Sequence, residues 1–486
     1  MSIIIPANTL AAAGGFSVDN SCRFNSGDSA YMTKEMDTPT DADKYTFSFW
    51  VKRSKLAAQQ SIFRSTNGNA ANDSHVTFQA DDTLRFEEYG GSASVGKLQT
   101  DQKFRDTNAW YHIVLVYDSG NGTAGNRMRM YVNGTEVTSF GTDNNPSQNA
   151  DSFFNKDGEV LSLGRTQYSG GGNYFSGYLA EVVMCDGQAL AADSFGEFDE
   201  DSGIWKPIDV SGLTFGTNGF YLDFEASGNL GNDVNGGTDF GESGLAAADQ
   251  SLDTCTNNQC VLNGILLPNS QPATFSQGNT AIVQNGNWRS YAGTFGLTSG
   301  KWYFEADGSG TAGTVLYGIA SLEAINLQDK TASNLNYTIG LNQPAYAYHG
   351  SSGGMYHSTS SSNAQGQGGG SWGAAFNSSN LISVYIDLDN NKLYTAKDNT
   401  MNVSGTGYDI EAGFTYFPVV VAYGVTTALN FGNGEFNGTA VSSAVADANG
   451  FGAFEYDPSR GGGSDFDGAA KDFLCINSKN LSTVNS

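Results

Sequence analysis

Positive charge is scarce in this chain. Its 486 residues hold 24 lysines and arginines against 50 aspartates and glutamates, a formal net charge of −26. No basic run of the kind that tracks phosphates occurs, which argues against nucleic acid and against an anionic membrane surface as partners. Proline is rare, at 9 residues. No stretch approaches the ~18 apolar residues needed to span a bilayer, so membrane insertion is not expected. Amphipathic helices longer than about two turns are missing as well. The five cysteines (Cys22, Cys185, Cys255, Cys260, Cys475) are odd in number and include no C-x-x-C pair. That disfavours a disulfide framework or a zinc site and fits folding in a reducing compartment, with a pairing of Cys255 and Cys260 left open. The 4 histidines offer no catalytic triad, and no serine sits in a G-x-S-x-G elbow with matched partners. GQGGG at 366–370 lacks the lysine and the following helix of a phosphate loop.

Glycine, by contrast, is abundant at 62 residues, spread with Asn and Ser through the chain. That pattern reads as many short strands joined by tight turns. Hydrophobic residues at 39% and aromatics at 12% supply enough material for packed cores. At roughly 150 residues per domain the length suggests about three units, and two large sandwiches with connectors fit equally well. The start, MSIIIPANTLAAAGG, is apolar but has no basic region and is interrupted by Pro6, a poor secretory signal. Residues 1–15 are expected to dock into a partner or a homo-oligomer, because exposed apolar termini rarely stay free.

The strongest alternation lies in YTFSFWVKRS, residues 45–54: Tyr45, Phe47, Phe49 and Val51 share one face. Trp50 on the other face implies that both sides are at least partly covered. WYHIVLVYD (110–118) is apolar on both faces, as a central strand is, and His112 within it reads as a core residue. RMRMYVNGTEV (127–137) carries Asn133-Gly134, a hairpin signal because both turn positions need positive φ; it pairs Tyr131 with Glu136. FSGYLAEVVMCDGQAL (175–190) closes the block, with Cys185 as a small core residue. In order and spacing these four strands resemble a laminin-G-like domain, a concanavalin A-like jelly roll. The resemblance implies a sandwich over 16–190.

Residues 191–275 are less regular and read as a connector. The next block has GKWYFEADGSG (300–310), LISVYIDLDNNKLYTAKDN (381–399) and FPVVVAYGVTTALNFG (417–432). Ile382, Val384, Ile386 and Leu388 share a face, Asn390-Asn391 makes a turn, and Leu393 returns to the core. This trio resembles a SPRY domain, itself a bent β-sandwich, over 276–435. The family's acidic residue before the middle strand is replaced here by Ser379-Asn380. A tail, 436–486, is expected to pack back on the domains. The tandem, with its GEFDEDSGIWKP connector, resembles structural proteins of marine tailed bacteriophages. That resemblance implies a virion component assembled in the host cytoplasm.

Three stretches invite chemistry. Glu197, Asp199 and Asp201 in GEFDEDSGIW have the i, i+2, i+4 spacing of glycosidase carboxylates, but their flanks are not an apolar strand, so a solvated connector is the better reading. Asp387, Asp389 and Asn391 have the outline of a calcium loop without its glycine at position 6 or its terminal glutamate. They are weak metal candidates. The laminin-G resemblance leaves calcium at a sandwich rim open, with no ligands matched. YSGGGNYFSG and AYAYHGSSGGMYHSTSSSNAQGQGGGSWG set aromatics among Gly, Ser and Asn. Tyr168, Tyr348, His349, Tyr356, His357 and Trp372 are therefore the candidate ligand-binding residues: rings stack on sugar faces and neighbouring polar groups bond hydroxyls.

The expectation is an all-β chain of two β-sandwich domains joined by an irregular connector, non-enzymatic and without a required cofactor. It acts as a phage tail-fibre or adhesin protein that binds host surface polysaccharide, and is expected to form homo-oligomers. The alternatives are a structural capsid fibre or decoration protein contacting other virion proteins and, behind it, a glycoside hydrolase.

Overall fold

The structure, a computed structural model, describes residues 15–66, 68–69, 71–167, 172–265, 273–286, 288–307, 315–327, 343–360, 362–367 (backbone only), 372–460 and 465–484. The chain is all-β and divides into two compact units, Ala12–Thr256 and one containing Asn257–Ser486. The docking segment expected over 1–15 lies outside the described residues, save Gly15.

The N-terminal unit is two packed antiparallel sheets of eight strands each. In one, Lys44–Arg53 lies between Trp110–Asp118 and Gly177–Asp186. Tyr45, Phe47, Phe49 and Val51 are fully buried between the sheets, as their alternation requires. Phe47 and Phe49 meet Phe63 of the opposite sheet at ring distances of 5.0 and 4.9 Å. The hairpin forms in the expected register, Tyr131 opposite Glu136, with φ of 46° at Asn133 and 77° at Gly134.

The outer face of that sheet is covered too. Trp50 stacks on His112, and His112 on Trp205, in a second small core that also holds Cys185, Phe195 and Phe215. The stretch read as a connector therefore belongs largely to this unit. Its short strands Phe220–Leu222, Gly241–Ser243 and Gln250–Ser251 join the two sheets. Asp253 is buried, with the Lys52 ammonium at 2.6 Å and the Trp110 indole N–H at 3.0 Å. Sequence pattern alone could not place it, because its partners lie far away along the chain.

In the C-terminal unit a nine-stranded and a six-stranded sheet enclose a core that contains Trp302, Phe304, Tyr317, Ile319, Val384 and Ile386. Leu381–Asp387 and Lys392–Lys397 form the expected hairpin, with Asn391 at φ 55°. On the outer face of the nine-stranded sheet Tyr303, Tyr385 and Tyr394 pack against Phe454, Phe466 and Phe473 of the chain's last part. Glu305 holds that segment in place. Its carboxylate accepts the backbone N–H groups of Glu455 (2.9 Å) and Tyr456 (2.8 Å), the Asn430 amide (3.1 Å) and the Tyr303 hydroxyl (2.8 Å). No disulfide joins any of the five cysteines in this structure; Cys255 lies half-buried in the N-terminal unit and Cys260 buried in the C-terminal one.

Candidate functional site

One hairpin sorts most of the expected ligand-binding residues. Ala345–His349 pairs with Met355–Thr359 in the register Tyr346 opposite His357 and Ala347 opposite Tyr356. Side chains alternate across a strand, so Tyr346, Tyr348 and His357 point to one face while His349 and Tyr356 point to the other. Tyr348 is fully buried and its hydroxyl donates to the Ala374 carbonyl. It is a core residue, which corrects the expectation that it meets a ligand. His349 and Tyr356 touch ring to ring at 4.5 Å on the outer face, beside Trp288, which in turn meets the exposed Tyr423. Tyr168 lies outside the described residues.

His357 and Trp372 line a shared open cleft of ≈ 500 Å³ with Tyr346, Tyr408, Asp409 and Glu411. Tyr408 organises it. Its hydroxyl lies 2.9 Å from His357 Nδ1, and its ring meets Trp372 edge-on, with centroids 5.4 Å apart and planes at 78°. The Trp372 indole N–H donates to Thr395 Oγ1 at 2.8 Å, which fixes the indole plane. The loop after Gly407 lies close over the strand Lys392–Lys397; a Cβ at Gly407 would sit 2.7 Å from the Tyr394 ring. Only glycine permits that approach.

The acidic side of the cleft follows from the same alternation. Ile410 is buried in the core, at 6% exposure, so Asp409 and Glu411 flank it on the outward side. The Glu411 N–H donates to the Tyr346 hydroxyl (3.0 Å), its carbonyl accepts from Tyr416 (2.8 Å), and its carboxylate accepts the Ser360 N–H (3.1 Å). Asp409 Oδ1 lies 2.9 Å from Lys392 Nζ, yet its side chain is 90% exposed. Burial, reinforced by Asp409, raises the Tyr408 phenol above its ordinary range, so it stays protonated and available as a hydrogen-bond donor. Sequence reasoning missed Tyr346, Tyr408, Asp409 and Glu411. The signal available was GYDIEAG, an aromatic followed by two alternating acids in a glycine-bounded loop.

The other candidates do not assemble. Glu197 and Asp199 both reach Lys206, at 3.2 and 3.3 Å, on a short hairpin, and Asp201 is exposed in its turn. Bonds from Ser202 and then Lys206 hold the Asp199 carboxyl below its usual range, the opposite of what a general acid requires. Asp387 is buried against Lys471 (2.7 Å) and bonded by Asn390, whereas Asp389 faces Lys301 (3.0 Å) and the Gly300 N–H (2.7 Å). Those carboxylates are neutralised separately, and Asn391 is the left-handed turn residue, so the calcium-loop reading gives way to a hairpin. Among the described residues no group of three His, Cys, Asp or Glu side chains converges to hold a metal ion. His112, as expected, is a buried strand residue: it takes the Trp205 indole N–H on Nδ1 (2.9 Å), donates from Nε2 to Ser48 (2.8 Å), and is pushed down to about 3 by burial.

No helix among the described residues is long and apolar enough to cross a membrane. Residues 25–193 match the family described as the concanavalin A-like lectin/glucanases superfamily. No curated protein matches the chain. Among solved structures, a candidate carbohydrate-binding protein from Bacteroides ovatus is similar at 17% identity and a TM-score of 0.33, over 49% of this chain and 63% of its own. The SPRY domain of human HERC1 is similar at 13% identity and a TM-score of 0.25, over 32% of this chain and 91% of its own. The CBM40 of a Ruminococcus gnavus IT-sialidase, bound to α2,3-sialyllactose, is similar at 17% identity and a TM-score of 0.25, over 33% of this chain and 94% of its own.

Proposed function

We propose that this chain is a non-enzymatic saccharide-binding protein, and that the cleft around Tyr408 and Trp372 is its binding site. The observation that carries the reading is an aromatic pair, each ring tethered through its polar atom, set beside two outward carboxylates in an open cleft. Rings fixed in this way stack on the C–H face of a sugar at little entropic cost. Carboxylates beside them accept bonds from its hydroxyls. The concanavalin A-like match of the N-terminal unit is in keeping with a recognition protein, though fold alone does not assign function.

The resemblance to marine tailed-phage structural proteins extends the reading: the chain is carried on a virion, in a tail fibre or other adhesin, and binds host surface polysaccharide, as a homo-oligomer. Purified protein should bind host polysaccharide and block adsorption of the phage; failure of both would end the adhesin role. A structural role is favoured by one observation. Phe198 and Ile204 are 51% and 54% exposed on one hairpin of the N-terminal unit, where they could meet another virion chain. Immunogold labelling separates the two: the tail tip fits an adhesin, the capsid lattice a decoration protein.

A further inference from the structure

The cleft is one-sided in charge. Among the described residues no lysine or arginine lines it, while Asp409 and Glu411 both do. Lys392, which does not line the cleft, engages Asp409 at 2.9 Å. Because the Asp409 side chain is 90% exposed, that pair is hydrated and leaves the carboxylate able to share a second cation. The Glu411 carboxylate takes the neutral N–H of Ser360. The rings of Trp372 and Tyr408 line the same cleft, and their π faces also attract cations. The whole chain, at −26, repels anions before they reach the cleft.

We propose that the cleft selects sugars bearing a protonated amino group, over neutral sugars of the same shape, and rejects uronates and sulfated sugars. The proposal rests on the saccharide-binding reading above and adds the charge class of the ligand. The sugar ring lies against the indole, and its ammonium reaches the carboxylates of Asp409 and Glu411 that line the cleft. N-acetylation removes the charge and so removes both the Coulombic and the cation–π contributions. A uronate brings a third negative charge to the same place.

The test is a titration of the full chain with four tetrasaccharides: a glucosamine oligomer, its N-acetylated form, a glucose oligomer and a galacturonate oligomer. Each is measured at a pH that keeps the amine protonated and again where it is neutral. The glucosamine oligomer should bind about tenfold more tightly than the N-acetylated and glucose oligomers, and only while protonated. The galacturonate oligomer should bind weakest. Asp409→Asn with Glu411→Gln should weaken binding of every oligomer, because both side chains line the cleft, and should abolish the preference, so that the glucosamine, N-acetylated and glucose oligomers bind alike. A glucosamine oligomer that binds no more tightly than the neutral oligomers, or a preference that survives the double substitution, would overturn the charge selection while sparing saccharide binding. No binding of any oligomer would remove both.

Discussion

The Tyr408 hydroxyl and His357 Nδ1 lie 2.9 Å apart, joining the loop at 407–411 to the Met355–Thr359 strand. This bond sets the angle of the ring against which Trp372 stands. Tyr408→Phe keeps the ring and loses the bond, so the ring is less well held. Saccharide affinity should fall by roughly two- to tenfold, the worth of one hydrogen bond, with the fold intact. Calorimetric titration of the variant checks it; an unchanged affinity would mean that the bond does not order the cleft.

Trp205 is held between two glycines. A Cβ built at Gly134 or at Gly196 would enter the indole ring, and Gly134 has φ 77°. Gly134→Ala must therefore displace Trp205 from His112 and strain the turn as well. A loss of about 3 kcal/mol from the N-terminal unit is expected. The measurement is denaturant unfolding followed by indole fluorescence. A variant as stable as the parent would show that the outer core does not depend on this clasp.

Glu305 offers a test of how the last part of the chain is held. Each of its carboxylate oxygens faces two donors, so Glu305→Gln turns an amide N–H₂ toward N–H or O–H groups. The cost should be about 2–4 kcal/mol, confined to the C-terminal unit. Amide exchange should quicken first at Phe454–Tyr456. Uniform protection in the variant would contradict the anchoring role.

Stability should depend on pH in a defined direction. Burial pushes Glu88, Glu181 and Glu305 up to about 7, against the hydrogen bonds each accepts. A carboxyl whose folded pKa is raised contributes stability below its unfolded value, and that contribution disappears as pH rises through about 7. Burial alone would lower His75, but bonds to Asp73 and Glu87 outweigh it and raise the imidazole. Its contribution is likewise complete below the unfolded value and lost as pH climbs past the folded one. Glu87 goes the other way: despite burial, His75 brings it down to about 2, so its contribution is complete above its unfolded value and is lost as pH falls from there through about 2. The unfolding midpoint should thus be highest near about pH 4.5, fall as pH rises from there through about 7, and be lower still at about pH 9. A midpoint that rises steadily to pH 9 would refute these assignments.

Much of the fold was legible because its main strands announce themselves locally. Tyr45 to Val51 alternate cleanly, Ile382 to Ile386 do the same, and Asn133-Gly134 dictates its turn. Residues 191–256 were not legible as part of a sandwich. Their strands are two or three residues long and gain meaning only by pairing with distant ones, as Phe220–Leu222 does with Gly177–Asp186. The cleft was half legible. His357 and Trp372 stand out among glycines and serines, but their partners Tyr408, Asp409 and Glu411 come later in the chain and arrive through tertiary packing. Alternation and register put Tyr348 on the same face as Tyr346 and His357; its packing on Phe376 and its bond to the Ala374 carbonyl, both tertiary, set it apart as a core residue.

The most direct measurement is titration of host surface polysaccharide into the intact protein and into its Trp372→Ala variant. The indole is half-buried and tethered through Thr395, so its removal should leave the fold standing. Loss of the stacking surface should weaken binding by at least about tenfold. Equal binding by the two proteins, or none by the parent, would contradict a saccharide site in this cleft.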